Sequence, residues 1–455
     1  MTAVVPVHLA LVALFFGAVA GGAVTFRAGL GGSPAALLVR ALLGLVLLAE
    51  LVVHPALGVG VAIFVGAATW RARRTPEHAE SEQSFREAWR LPAPAIAALL
   101  VTLVAAVLRP PVPFFWDESV WLSKARVACE GGSVLMARAL DAQSDLVPRG
   151  YPIIAAVLEA SFALGNPSVP SLVAGGTALV LSAVALYVFL LARAARAPFE
   201  LWGSLLVLAL TPFFWVHLRS VQLDLPMGLL LAALVLAVER AEAGDRLGFP
   251  AAVTAGLLLG IKDEGLLAAL AVAVALGTRG ANGRGRRAAW SAFVALALSV
   301  AVYRWRLWLA GSANDDHSIG TPAPRLAFAI VLDALRDASD VQTWGLVPAV
   351  GVAAMLASLR RSVDPRARRL SVVIAVYALG LLGALVLGPP QVRDFALEGT
   401  LLDRLGLGLL PGVALLVPRL LGVPRDQGEG SVEGAAASGG GSTSKSEQGA
   451  PSASG

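Results

Sequence analysis

Pro92-Ala-Pro-Ala-Ile-Ala-Ala-Leu-Leu-Val-Thr-Leu-Val-Ala-Ala-Val-Leu108 carries a single hydroxyl and no charge. It then breaks into Arg109-Pro-Pro-Val-Pro-Phe-Phe-Trp-Asp-Glu-Ser-Val-Trp121. An uncharged run of roughly 17 residues is long enough, as a helix, to cross the hydrocarbon core of a bilayer. A helix satisfies its own backbone there, where no water can do so. The stretch therefore predicts a membrane-spanning helix, with Asp117 and Glu118 opening a long polar loop at its rim, Arg109 to Arg149. Carboxylates in that position are costly unless they bind a cation, pair with a base or take part in chemistry.

The same alternation runs through the chain. Its 455 residues are 57% hydrophobic and only 15% charged, and the mean hydropathy is +0.73. A soluble globule would carry roughly 25% charged residues, so that class is excluded. The fold expected is an all-α polytopic membrane protein of about 10 to 13 transmembrane helices, with a large first external loop, 109–150, that carries interfacial helices. Three apolar runs, Val4–Val24, Ala35–Val53 and His54–Trp70, form an N-terminal section, 1–70. A polar and basic linker, 71–90, leads from it to the main transmembrane region, 91–421. The first run has no basic residues ahead of it and is followed by span after span, which argues against a cleaved signal peptide. Residues 422–455 are rich in Gly, Ser and Glu with almost nothing to bury, and are expected to be disordered.

Charge and cysteine narrow the function. The formal charge of +5 is no sign of nucleic-acid binding, because the arginines cluster in short loops between helices, where they report orientation. Cys129 is the sole cysteine, so neither a disulfide nor a cysteine-based metal site is available. His217 has no partner at ligand spacing and reads as interfacial. Neither a metal nor another cofactor is expected.

Four basic stretches mark the cytoplasmic side: Arg71-Ala-Arg-Arg74, Arg193 with Arg196, Arg284-Gly-Arg-Arg287, and Arg360-Arg361 continuing to Arg366-Ala-Arg-Arg369. From Arg71–Arg74 the span Pro92–Leu108 leads outward, which puts Asp117 and Glu118 outside. Tyr151 to Gly165 is short for a span and reads as an interfacial helix. Leu172–Leu191 returns, Leu201–Trp215 goes out, and His217 to Asp224 is external. Pro226–Val238 comes back to a loop with no net basic charge, Glu239 to Arg246. The 30 or so residues before Arg284 must then cross an even number of times, as two short helices or a broken re-entrant pair. Their break, Lys262-Asp-Glu-Gly265, falls at the external end. Parity thus sets three separated charged clusters on one face. Ala289–Trp308 carries Arg304 and Arg306 outward, and Gln391 to Arg404 is external again. An odd number of N-terminal crossings puts Met1 outside, and the sequence leaves that number open.

In order, these features are a span, an Asp-Glu loop, Tyr151-Pro152 before an interfacial helix, Gln222-Leu-Asp-Leu-Pro226, and Gly256-Leu-Leu-Leu-Gly-Ile-Lys-Asp-Glu-Gly265. That order resembles the multi-spanning glycosyltransferases of the GT-C class, the group that includes bacterial aminoarabinose transferases and protein O-mannosyltransferases. The resemblance covers roughly Pro92 to Leu420 and rests on order and sidedness, since none of the motifs is specific alone. It matches the catalytic acid of the first external loop to Asp117 with Glu118 beside it, and the second acidic residue to Asp224. It also matches a Lys-x-Glu-Gly element to Lys262, Glu264 and Gly265, and a late Arg and Pro to Arg404 and Pro411. The chain departs from the family at Gly150-Tyr-Pro152, at Ser119-Val-Trp121 and in its three leading apolar runs, which leaves the acceptor open.

The resemblance implies inverting transfer of a sugar from a polyprenyl-phosphate donor at the extracytoplasmic face of a bacterial inner membrane. The acceptor hydroxyl would belong to a protein, lipid or glycan. Such a site needs a carboxylate as general base and cations to neutralise the departing phosphate. Asp117, Glu118 and Asp224 are the candidate acids. Lys124, Arg126, Tyr151, Arg219, Lys262, Glu264, Arg304 and Arg404 are the candidate substrate ligands.

Plainer readings stand beside each. Asp117 sits where an N-capping Asp would, Glu118 where a first-turn Glu is ordinary, and Asp224 at a normal helix start before Pro. Lys262 has Asp263 and Glu264 next to it as structural partners, Arg404 suits an interfacial anchor, and Phe115, Trp116 and Trp121 suit the aromatic belt. The alternative function is a secondary transporter or a flippase of an amphipathic or lipid-linked substrate. That reading calls for paired repeats and ionisable groups near the midplane; the sequence shows no repeat and sets its charges at the rim.

Overall fold

The computed structural model describes residues 4–25, 33–72, 91–108, 113, 116–139, 153–277, 282–309, 324–360, 363–387 and 400–421. Tyr151, residues 73–90 of the linker, the remainder of loop 109–150 and the tail 422–455 lie outside them. So do the side chains of Asp117, Arg306 and Arg404.

Among the described residues every element is helical. The first three are α1 (Val4–Thr25), α2 (Pro34–Val53) and α3 (Pro55–Ala72). Next come α4 (Ala93–Val107), α5 (Trp116–Ala139), α6 (Ile154–Phe162) and α7 (Val169–Ala194). A pair, α8 (Pro198–Ala209) and α9 (Pro212–Leu218), precedes α10 (Asp224–Glu242). Then α11 (Gly248–Leu258) passes through a single 3₁₀ turn, Leu259–Ile261, to α12 (Glu264–Gly277). The remainder are α13 (Gly283–Leu309), α14 (Pro324–Ala338), α15 (Val341–Trp344), α16 (Val347–Ser358), α17 (Pro365–Leu387) and α18 (Thr400–Leu421).

Four of these helices, α2, α7, α13 and α17, contain a stretch long and apolar enough to cross a membrane. The count rises to five if α8 and α9 form one span bent by 81°. The bend falls at Thr211-Pro212, where proline removes a donor and clashes with the preceding turn. Seven shorter apolar helices accompany them, giving a multi-pass, all-α architecture.

The centre of the bundle is α10, buried from Asp224 through Glu239 and wrapped by α7, α11, α13 and α18. A helix that is apolar all round has to be enclosed in this way. Its two ends carry different chemistry. At the C-terminal end Glu239 accepts from Arg366 at 2.8 Å and from Arg419 at 2.8 and 2.9 Å. Arg240 and Arg193 meet Asp245, and Arg369 meets Glu242 at 3.0 Å. Arg196 faces Asp364, and Asn282, just before α13, holds the carbonyl of Glu242. The basic stretches of residues 193–196, 284–287 and 366–369 are thus gathered at one end, with the weakly charged loop 239–246 among them. At the N-terminal end, fifteen residues back and about 22 Å away at the helical rise, Asp224 meets Lys262.

Gly228 of α10 abuts Leu407 and Gly408 of α18. Because Glu239 meets Arg419 eleven residues further along each helix, the two run parallel. Arg404 therefore enters at the level of Asp224. The pair α11 and α12 rises from the arginine-rich end, breaks at Lys262-Asp263 and returns, as the parity of crossings requires.

The N-terminal helices pack into the same compact unit as the rest. On α1 and α2, Gly17, Gly21 and Gly44 bring backbone against backbone, with each missing Cβ occupying space filled by the other helix. Ser33 caps α2, accepting from the N–H of Ala36. Glu50, near the end of α2, accepts from the hydroxyl of Ser299, which lies five residues before Arg304 on α13. That contact orients α2 toward the Lys262 end. The crossing of Gly17 with Gly44 and of Gly21 with Arg40 makes α1 antiparallel. Val4 accordingly starts at the Lys262 end, the answer the sequence left open. The segment expected to lie at the interface forms α6, and its residues from Ile154 to Ala160 are buried among α2, α5 and α7.

Candidate functional site

Four pieces of chain meet at the N-terminal end of α10: the start of α5, the segment Ser220–Asp224, the break at Lys262–Glu264, and the last turns of α13. Asp224 is the first residue of its helix. Its carboxylate accepts from Lys262 at 2.5 Å, with both side chains almost fully enclosed. Glu264 stands farther out, 3.9 Å from the Lys262 ammonium and 29% exposed. Asp263 turns away from Lys262 and pairs with Arg304 at 2.6 Å, and Arg304 keeps 30% of its side chain exposed. Of the neighbour pairings read from Lys262-Asp-Glu, the one with Glu264 is present at the longer distance and the one with Asp263 is replaced by Arg304. The extended Lys262 backbone (φ −136°, ψ 154°) splays successive side chains apart, so the closest partner comes from 38 residues upstream.

Glu118 is buried on the first turn of α5 and accepts from the backbone N–H of Val221 at 2.5 Å. This contact fastens α5 to the strand of chain that leads into Asp224. Six residues on, the ammonium of Lys124 lies 5.4 Å from the centre of the Trp121 ring and near Asp263. Burial pushes the Lys124 amine down to about 7, and the negative charge of Asp263 opposes that shift. Trp121 is buried too, so it packs inside the protein and not in a surface aromatic belt.

The cluster therefore contains four carboxylates (Glu118, Asp224, Asp263, Glu264) and three cations (Lys124, Lys262, Arg304). Its enclosed part is committed to protein contacts. Its open edge is formed by Glu264 and Arg304.

Other candidates fall differently. Arg219 is exposed at the end of α9, two residues before Val221. Arg126 is not brought in; it points outward and pairs along its own helix with Glu130 at 2.8 Å. His217 is buried against Phe213, ring centres 4.3 Å apart, and not interfacial. The sequence reading overlooked Tyr377. It is fully buried on α17, donates to the sulfur of Met227 at 3.5 Å and lies near Asp224 and Glu264. Within an apolar run a lone Tyr gives no signal of which helix it will face. Among the described residues no three His, Cys, Asp or Glu side chains are grouped to hold a metal ion.

Searches against family models, curated proteins and solved structures find no match to this chain.

Proposed function

We propose that the chain is a multi-pass membrane glycosyltransferase that moves a sugar, with inversion, from a polyprenyl-phosphate donor to an acceptor hydroxyl. The reading rests on one observation: the starts of α5 and α10, the Lys262 break and the end of α13 gather at the end of the bundle opposite the arginine-rich loops. By the positive-inside rule the arginine-rich end is cytoplasmic. The acidic end then faces the extracytoplasmic side of a bacterial inner membrane.

In this mechanism Asp117 takes the proton of the acceptor hydroxyl as its oxygen attacks the anomeric carbon. The bond from that carbon to the phosphate oxygen breaks on the opposite face, and its electron pair leaves with the lipid phosphate. Arg304, Arg404 and Arg219 neutralise the phosphate as it departs, and Glu264 orients sugar hydroxyls. Glu118 positions Asp117 through its hold on Val221. Asp224 acts through Lys262, keeping its ammonium at the floor of the site.

The Asp117→Asn variant keeps the size of the side chain and removes the base. Purified in detergent with a lipid-linked sugar and acceptor, it is expected to fold normally and to lose transfer by about two to four orders of magnitude. Transfer near the unmodified rate would remove Asp117 from the role of base. One observation favours the transporter as a second reading: an ion pair buried at a helix break is also a transporter device. Counterflow of a soluble or lipid-linked substrate across proteoliposomes, without any bond broken, would select it.

A further inference from the structure

Helix α14 is built inside out for a protein in water. Phe328, Val331, Leu332 and Leu335 follow one another at i, i+3, i+4 and i+7, and so form a single stripe along the helix. All four are exposed, Phe328 at 66% and Leu335 at 63%. Asp333 and Asp337, on the opposite sector, are half-buried, and Ile330 on that same side is fully buried. A helix docked on a soluble core turns its apolar stripe inward and its charges outward. Here the stripe faces away from the bundle and the carboxylates face toward it.

The helix packs on α17 and α18, and it lies between the end of α13 and α15–α16 in the chain. Those flanks expose Trp305, Trp308 and Leu309 on one side and Val341 and Leu346 on the other. Tryptophans at the end of a span mark the level of the membrane interface. Fifteen residues give only about 22 Å of helix, too short to cross, and a crossing would bury Asp333, Arg336 and Asp337 in hydrocarbon.

We infer that α14 is an in-plane membrane helix whose outer stripe lies at the boundary of headgroups and acyl chains, in the leaflet on the side of the Lys262 cluster. Its partner is the lipid surface itself, and α14 holds the rim of the bundle at a fixed depth beside the site. This holds whether or not the chain transfers sugars.

The test uses the full chain with Cys129→Ser, reconstituted in phosphatidylethanolamine–phosphatidylglycerol vesicles. Single variants Phe328→Cys, Val331→Cys, Leu332→Cys, Leu335→Cys and Arg336→Cys each carry a nitroxide spin label. These positions are exposed, so the labels leave the packing intact. Oxygen, which concentrates in the acyl region, is expected to collide with the labels of the stripe several-fold more than a water-soluble nickel chelate does. The ratio is expected to reverse at position 336. Preferential collision with nickel along the stripe would mean that it faces water. Collision with neither reagent would mean that a second copy or another protein covers it. Either result overturns the proposal.

Discussion

Lys262 is enclosed in an apolar hairpin and its charge is balanced chiefly by Asp224. Removing one partner strands the other. Asp224→Asn is expected to cost about 3–5 kcal/mol of stability, as loss of half of a buried pair does. Adding Lys262→Met removes the stranded charge and is expected to restore most of the loss in thermal unfolding. If Lys262 also serves the donor phosphate, stability returns in the double variant but transfer does not. Return of both would reduce the pair to architecture. Lys124 offers a different handle. Its amine titrates near 7 when folded, against 10.5 ordinarily, so between those values the unfolded chain binds more protons than the native one. Stability then rises as pH increases from about 7 toward 10. Unfolding midpoints across that window are expected to show the rise, and Lys124→Met to flatten it. A midpoint insensitive to the substitution would contradict the burial of that ammonium.

Gly265 makes the turn into α12 possible. A Cβ there would overlap the carbonyl oxygen of Leu259 in the preceding 3₁₀ turn. Gly265→Ala is expected to destabilise by about 1–3 kcal/mol, in the range of other overpacked sites, and to displace Glu264 from Lys262. Unfolding at the wild-type midpoint would show that the turn gives way easily. The break itself was legible, because Lys262-Asp-Glu-Gly265 interrupts an apolar run too long for one span and too charged for lipid. Its partner was not, since nothing in a sequence tells which of several acids meets a lysine 38 residues away. Helix α14 was missed for another reason. A search for membrane spans looks for unbroken apolar runs, whereas α14 carries its hydrophobicity at helical spacing, with Asp333 and Arg336 between the apolar positions. The burial of α6 was missed because a short apolar helix with one Glu reads the same on a surface as inside a bundle.

Sidedness can be settled by labelling. With Cys129→Ser as background, Arg219→Cys at the acidic end and Arg196→Cys at the arginine-rich end are both exposed. An impermeant thiol reagent added to intact cells is expected to modify position 219 and spare 196, with the pattern reversed in inverted vesicles. Modification of both from one side would break the two-ended arrangement.

Helix α10 is fastened at both ends, to Lys262 at one and to Arg366 and Arg419 at the other. Alternating access works by rocking one part of a bundle against another. If the rock had to tear open either fastening, at about 3–5 kcal/mol, the alternate form would hold about one molecule in 150 to one in several thousand. A machine that must visit that form in every cycle idles for most of its time. A catalyst has the opposite need: a frame that stays still while bonds change gains from every such bolt.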